Sequence, residues 1–309
     1  MDKISIIVPC YNEQEALCYF YDEIKNVMQL MREVDFELLF IDDGSRDGTL
    51  DELKHLALTD GRVKYISFSR NFGKESAMYA GLKNATGDFV AIMDADLQDP
   101  PSLLPEMYKA VTQEGYDSVA TRRVTREGEP PVRSFFARMF YRICSKICET
   151  DMVDGARDYR LMNRRFVDAL LQLSERNRFS KGLFGWVGFK TKWLEFENVE
   201  RVAGETKWSF WKLFKYSIEG IVAFSTFPLF IVSAFGFFGT AIGAAWLIVI
   251  SILGILGNGV SQVAIIAALL VLIMGILLLC LGIACQYISK TYLEIKNRPI
   301  YITRDTNIK

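Results

Sequence analysis

Two carboxylates stand two residues apart in "VAIMDADLQDPP", residues 90–101. Asp94 and Asp96 follow an apolar run that reads as the end of a buried strand. Hard divalent cations such as Mg2+ or Mn2+ take oxygen ligands and often share them with substrate phosphates. A carboxylate pair at a strand end therefore suits a metal held against a diphosphate. The same spacing suits a solvated turn, and Pro100-Pro101-Ser102 reads as a helix start that Asp99 or Ser102 would cap. Two other stretches have this character. "IDDGSRDGT" closes a strand with Asp42 and Asp43, allows a tight turn at Gly44 and offers Asp47 as a helix cap. "VPCYNEQE" ends a strand near Pro9 and then presents Tyr11, Asn12 and Glu13. An aromatic ring there can lie beside a nucleobase, and spare carboxylate acceptors can read a base or a ribose hydroxyl. The one histidine, His55, lies in a polar helical stretch, which argues against a histidine-based triad.

The elements that position these residues alternate. Apolar runs at 4–9, 36–42, 63–69, 88–94 and 117–122 read as strands. Helical patterns fill 13–32, 47–58, 74–84 and 103–112. Strands rich in Ile, Val and Phe that alternate with helices predict an α/β domain with a mostly parallel sheet covered on both faces. In such sheets ligands collect at the carboxyl ends of the strands. That rule selects residues 9–13, 42–47, 69–74 and 94–99.

The rest of the chain differs in composition. Half of the 309 residues are hydrophobic and the net charge is -1. From residue 220 to residue 289 there is no Asp, Glu, Lys or Arg. A membrane helix needs roughly 20 apolar residues, so this tract is long enough for two passes. "GILGNGVSQ" divides it, which predicts spans at about 228–253 and 263–288. Lys207, Lys212 and Lys215 precede the first span. Lys290, Lys296, Arg298 and Arg304 follow the second. The positive-inside rule then puts both ends in the cytoplasm. No signal peptide is expected, because the first apolar run is short and ends at a proline. Residues 133–149 carry Arg138, Arg142 and Lys146 at helical spacing among bulky aromatics. They read as an amphipathic helix in the membrane interface. Residues 207–227 read as a juxtamembrane segment and 290–309 as a cytoplasmic basic tail. The six cysteines show no metal-binding or disulfide spacing.

"ISIIVPCYNE", "LLFIDDGSRDGT", "FSRNFGKESAMYAGL", "GDFVAIMDADLQDPP", "GARDYRLMNR" and "RVAGETKW" occur in this order. With them the chain resembles the family 2 glycosyltransferases, and within them the dolichyl-phosphate mannosyltransferase and bactoprenol glucosyltransferase group. The resemblance implies a GT-A fold over residues 1–206. It implies that Pro9, Tyr11, Glu13, Asp42 and Asp43 line a nucleotide pocket. Asp94, Asp96 and Gln98 would surround the metal and sugar diphosphate. Asp158 would lie near the sugar and acceptor, and Arg201 and Lys207 would flank a loop that closes over the donor. Arg122, Arg123 and Arg133 would meet a lipid phosphate. The donor would be a nucleotide sugar, UDP-glucose first, with UDP-N-acetylglucosamine and GDP-mannose as alternatives. The acceptor would be a polyprenyl phosphate in the inner membrane and the metal Mg2+ or Mn2+. A homo-oligomer is expected and a nucleic-acid partner is not. A processive polysaccharide synthase and a non-catalytic nucleotide-sugar binder are the competing readings. "QLSER" lacks the Trp of the synthase acceptor motif, and two spans are few for a channel.

Overall fold

The structure is a computed structural model that describes residues 1–123, 153, 155–173, 175–176, 178–196, 245 and 262–308. They fall into two units. The first comprises residues 1–220 together with 298–309, and the second residues 221–297.

In the first unit the alternating pattern folds as read. Strand β1 (Lys3–Cys10) leads to helix α1 (Gln14–Leu30), β2 (Asp35–Asp42) to α2 (Thr49–Thr59), and β3 (Val63–Phe68) to α3 (Lys74–Asn84). Strand β4 (Phe89–Ile92) is followed by a short turn of 3-10 helix, by α4 (Leu104–Gln113) and by β5 (Ser118–Arg123). The apolar runs are long because these strands are covered on both faces. Ile4, Ile6, Ile7 and Val8 of β1 are all buried, as are Leu38, Leu39, Phe40 and Ile41 of β2. Helix α1 contributes one stripe, with Ala16, Leu17, Phe20, Ile24, Val27 and Met28 turned into the core.

Three further strands complete the sheet: β6 (Ala156–Asn163), β7 (Thr191–Phe196) and β8 (Thr303–Thr306). Helices α5 (Arg164–Gln172) and α6 (Ser180–Trp186) lie between β6 and β7. The order is β7-β5-β6-β4-β1-β2-β3-β8. The expectation of a mostly parallel sheet needs correction. Pairs β1–β2, β2–β3, β1–β4 and β5–β7 are parallel, but β4–β6, β5–β6 and β3–β8 are antiparallel. The sheet is mixed because β6 and β8 insert against their neighbours. Their sequences, "ARDYRLMN" and "TRDT", lack the unbroken apolar run that identifies the others.

The end of the chain also differs from expectation. It is not a separate basic tail. Lys290 and the residues to Ile295 finish a 34-residue helix, α7 (Gln262–Ile295), and the chain then rejoins the first unit as edge strand β8. The second predicted span falls inside α7. The first span, apart from residue 245, lies outside the described residues, as do the interfacial helix 133–149 and the segment 207–227. Counted over the described residues alone, no helix is long and apolar enough to cross a membrane.

Candidate active site

The chain order creates a reversal point beside β1. Strands β2 and β3 lie to one side of it and β4 to the other, all parallel. Ligands bind at such a point, beyond the carboxyl ends. On one side the β1–α1 and β2–α2 loops are laced together. The Asn12 amide donates to Ser45 Oγ at 2.9 Å, and Asn12 Oδ1 accepts from the Arg46 amide at 2.8 Å. The Glu13 amide donates to Thr49 Oγ1 at 3.0 Å, and Gln14 Oε1 accepts from Gly48 at 3.0 Å. Pro9, Tyr11 and Glu13 stay part-exposed along this seam.

Asp42 and Asp43 are buried and already engaged. Asp42 accepts from the Ser45 amide at 2.9 Å and from Ser67 Oγ at 2.6 Å. Asp43 reaches across to the β3–α3 loop and accepts from the Phe72 and Gly73 amides, the former at 2.6 Å. Burial pushes the Asp43 carboxyl up to about 6, and those two amides oppose the rise. The loops can approach so closely only because residue 44 is glycine. A Cβ there would stand 2.4 Å from the Arg70 carbonyl carbon, and the residue has a φ of +69°. Asp47 accepts from the Thr49 amide at 3.1 Å, but the N-cap of α2 is Gly48 and no side chain caps it, so Asp47 is not the expected cap.

On the other side of β1, Met93 donates its amide to Ile7 at 3.0 Å and the chain then leaves the sheet. Asp94 is part-exposed. Asp96 is buried and accepts from the Gln98 amide at 3.1 Å. Asp99 is not the expected helix cap. It is buried and gripped by the Arg157 guanidinium, with Nε at 2.8 Å, and neither the 3-10 turn nor α4 has a side-chain cap. The ion pair fastens the Asp94–Pro100 loop to β6. Burial raises the pKa of Asp99, and Arg157 opposes the shift.

Strand β6 brings in Asp158. Ile92 pairs with Arg160 at the end of the antiparallel β4–β6 ladder, two residues from Asp94 on one chain segment and from Asp158 on the other. Between them lies Lys74, the first residue of α3. Its ammonium is 2.7 Å from Asp94 Oδ1 and 2.6 Å from Asp158 Oδ2. Helix α3 lies tight on β1 at Gly81, where a Cβ would meet Ile7 Cγ2 at 2.2 Å. Burial alone would raise the pKa of Asp158. Lys74, and after it Lys181, hold the carboxyl well below the usual range. Burial works against the Lys74 charge too, but Asp158 and Asp94 keep it firmly protonated. Glu75, next to Lys74, accepts from the Ser180 amide at 3.1 Å and so ties the start of α6 to that of α3. Two residues further along β6, Arg160 is buried with its guanidinium 3.5 Å from the Phe184 ring centroid and its Nε without a hydrogen-bond partner.

Of the residues expected to matter, Asp94, Asp96, Gln98 and Asp158 thus come together at one edge. Asp42, Asp43, Pro9, Tyr11 and Glu13 line the neighbouring loops. Arg122 and Arg123 end β5 at the same edge, and Arg122 is paired through its Nε with Glu195 of β7 at 3.0 Å. Arg133, Arg201 and Lys207 lie outside the described residues. Lys74 was within a segment selected by the strand-end rule, but nothing in the linear sequence pointed to its two partners. They are 20 and 84 residues away.

The donor set fits a hard divalent cation in part. Asp94 and Asp96 supply anionic oxygens, and the Asp94–Lys74 pair shows that this position already holds positive charge. Among the described residues no three acidic, histidine or cysteine side chains converge into a complete cage. A metal here would therefore need further oxygens from a bound phosphate group, which is the usual behaviour of Mg2+.

The sheet is mixed, and its acidic pair stands beside the reversal point next to the loops that follow β1 and β2. The model of the family "Glycosyl transferase family 2" matches residues 5–171, and the chain belongs to that family. It is 46% identical over 308 residues to a protein named CsbB from Bacillus subtilis (strain 168), covering 99% of this chain and 92% of that one. It is 38% identical over 305 residues to the prophage bactoprenol glucosyl transferase homolog of Escherichia coli (strain K12), covering 98% of each. It is 38% identical over 308 residues to the SfII prophage-derived bactoprenol glucosyl transferase of Shigella flexneri, covering 99% of this chain and 98% of that one.

Proposed function

We propose that the enzyme transfers a sugar, glucose first, from a nucleotide-sugar donor to a membrane polyprenyl phosphate, undecaprenyl phosphate in particular, with inversion at the anomeric carbon. The observation that carries this reading is the meeting of Asp94, Asp158 and Lys74 at the carboxyl edge beside the nucleotide loops. The likeness to bactoprenol glucosyl transferases along nearly the whole chain supports the acceptor class.

The acceptor phosphate attacks the anomeric carbon from the face opposite the departing diphosphate. A phosphate monoester has a second pKa of about 6, so at neutral pH it is already mostly dianionic. It needs little help from a base, and Asp158 is poorly suited to be one. Its carboxylate is stabilised by Lys74 and has little tendency to take a proton. Asp158 instead orients the sugar and offsets positive charge that develops on it. Asp94 and Asp96 would hold Mg2+ or Mn2+, which supplies charge neutralisation to the leaving diphosphate. Arg201 and Lys207, if they close over the donor as the family resemblance implies, would add cations and exclude water.

The acceptor stays in the bilayer, and the charge-free tract at residues 220–289 supports a membrane anchor. Strand β8 is in the same sheet as β1–β3, so the residues before 220 and those after 298 belong to one unit. Any membrane crossings between them would be even in number. Two spans fit the charge-free tract and its central glycine turn, with the catalytic unit and both termini cytoplasmic at the inner membrane. The charge-free tract ends at Lys290, within α7. Exposed Leu270, Met274, Leu277 and Leu281 give it a surface suited to lipid or to another span. Gly236, Gly239 and Gly243 would let spans of a homo-oligomer pack closely.

The test uses purified full-length enzyme, undecaprenyl phosphate and labelled UDP-glucose, UDP-N-acetylglucosamine or GDP-mannose. Label in the organic phase from UDP-glucose is the expected result, and Asp96→Ala is expected to abolish it. Insoluble glycan would favour the synthase, and no transfer would favour the binder. Full activity without divalent metal would sink the metal assignment.

A further inference from the structure

Lys74 neutralises two carboxylates that reach the site from different strands. Asp94 and Asp158 follow and precede the last β4–β6 pair, Ile92 with Arg160, and both hold the Lys74 ammonium; without it they would repel. The lysine side chain is 32% exposed and the carboxylates 22% and 19%, so the cluster faces the site rather than the core. Asp94 is also one of the two carboxylates assigned to the divalent cation. An ammonium at 2.7 Å and a divalent cation would compete for it. Asp158 offers Lys74 a second anchor that the cation need not use.

We propose that Lys74 is a positioning residue that stands in for the divalent cation until donor arrives. It then gives up Asp94, keeps Asp158 and turns its charge toward the donor diphosphate. The inference rests on the proposed reading of this site. Its consequence is that metal alone binds weakly, while metal and nucleotide diphosphate bind cooperatively. The diphosphate gives the displaced ammonium a new partner, so each ligand lowers the cost of the other.

The experiment titrates Mn2+ alone into full-length protein in detergent and follows free Mn2+ by electron paramagnetic resonance. Lys74→Met is expected to bind Mn2+ about tenfold more tightly than wild type, because Asp94 is freed from its competitor. It should also show raised donor KM and lowered kcat in the transfer assay. Lys74→Arg, which keeps the charge, should return Mn2+ affinity close to wild type. Melting curves of both variants establish that they fold, and the arginine variant remains informative if the methionine one does not. Unchanged or weaker Mn2+ binding by Lys74→Met would overturn the proposal. So would Lys74→Arg binding as tightly as Lys74→Met. Absence of Mn2+ binding in wild type and variant alike, with UDP added as well as without it, would overturn both this inference and the metal assignment. Normal Mn2+ behaviour with no sugar transfer by wild type would instead defeat the functional reading alone.

Discussion

Asp158 is held ionised by Lys74 and Lys181 against a burial that favours the neutral form. A carboxyl in that state stays charged through the working pH range, which separates orientation from proton transfer. The acidic limb of kcat then belongs to the acceptor phosphate and should fall near pH 6. Asp158→Asn is expected to lower kcat and to leave that limb in place. A pH profile of both enzymes from about pH 5 to 9 decides the point. Disappearance of the limb in the variant would make Asp158 the base after all.

The elements behind the site depend on a polar cluster at the opposite end of the sheet. Glu37 of β2 is buried and accepts from Ser5 Oγ, Lys64 Nζ and the Thr86 amide. Burial would raise its pKa. The bonds from Lys64, Ser5 and Thr86 outweigh that and lower it to about 2. A carboxyl with a depressed folded-state pKa contributes stability above its unfolded value, and that stability is lost as pH falls through the folded value. The window therefore runs from about 4.5 down to about 2. Glu37→Gln should cost about 3 kcal/mol at neutral pH, and the cost should shrink across that window. Thermal melts of the two proteins at several pH values measure it. The Gly44 and Gly81 contacts act at the same scale. Each sets how near two elements lie, and through that where Asp43 and Lys74 stand.

At the scale of the whole molecule, strand β8 closes the sheet with residues from beyond the long helix. Asn307 Oδ1 accepts from the Tyr65 amide at 2.8 Å, Lys54 pairs with Asp305 at 2.6 Å, and Tyr301 stacks on Phe68 with centroids 4.9 Å apart. Deleting residues 298–309 bares the β3 edge and should lower the melting temperature by several degrees and promote aggregation. Light scattering during the melt would register both. Membrane anchoring has its own check. Protein should stay with membranes after an alkaline carbonate wash, and a protease added outside intact cells should leave both termini uncut. Release by the wash would remove the transmembrane reading.

The early part of the fold was legible because both-face-buried strands write themselves as apolar runs. Helix α3 begins and ends where the pattern put it, at Lys74 and Asn84, and β2 ends at the expected Asp42. The carboxylates at the strand ends were legible for the same reason, since a strand that stops at Asp announces where its edge lies. Strands β6 and β8 carry charged residues and no such run, so their places depend on neighbours far along the chain. The sequence by itself thus determined the alternating α/β unit, the acidic edge and the charge-free tract. It took the folded chain to bring Asp94 and Asp158 to one ammonium, that of Lys74, to pair Asp99 with Arg157 instead of a helix start, and to return the last strand to the first unit. Those facts are pairings between distant segments, fixed by antiparallel register and buried ion pairs, and local sequence pattern does not encode a partner.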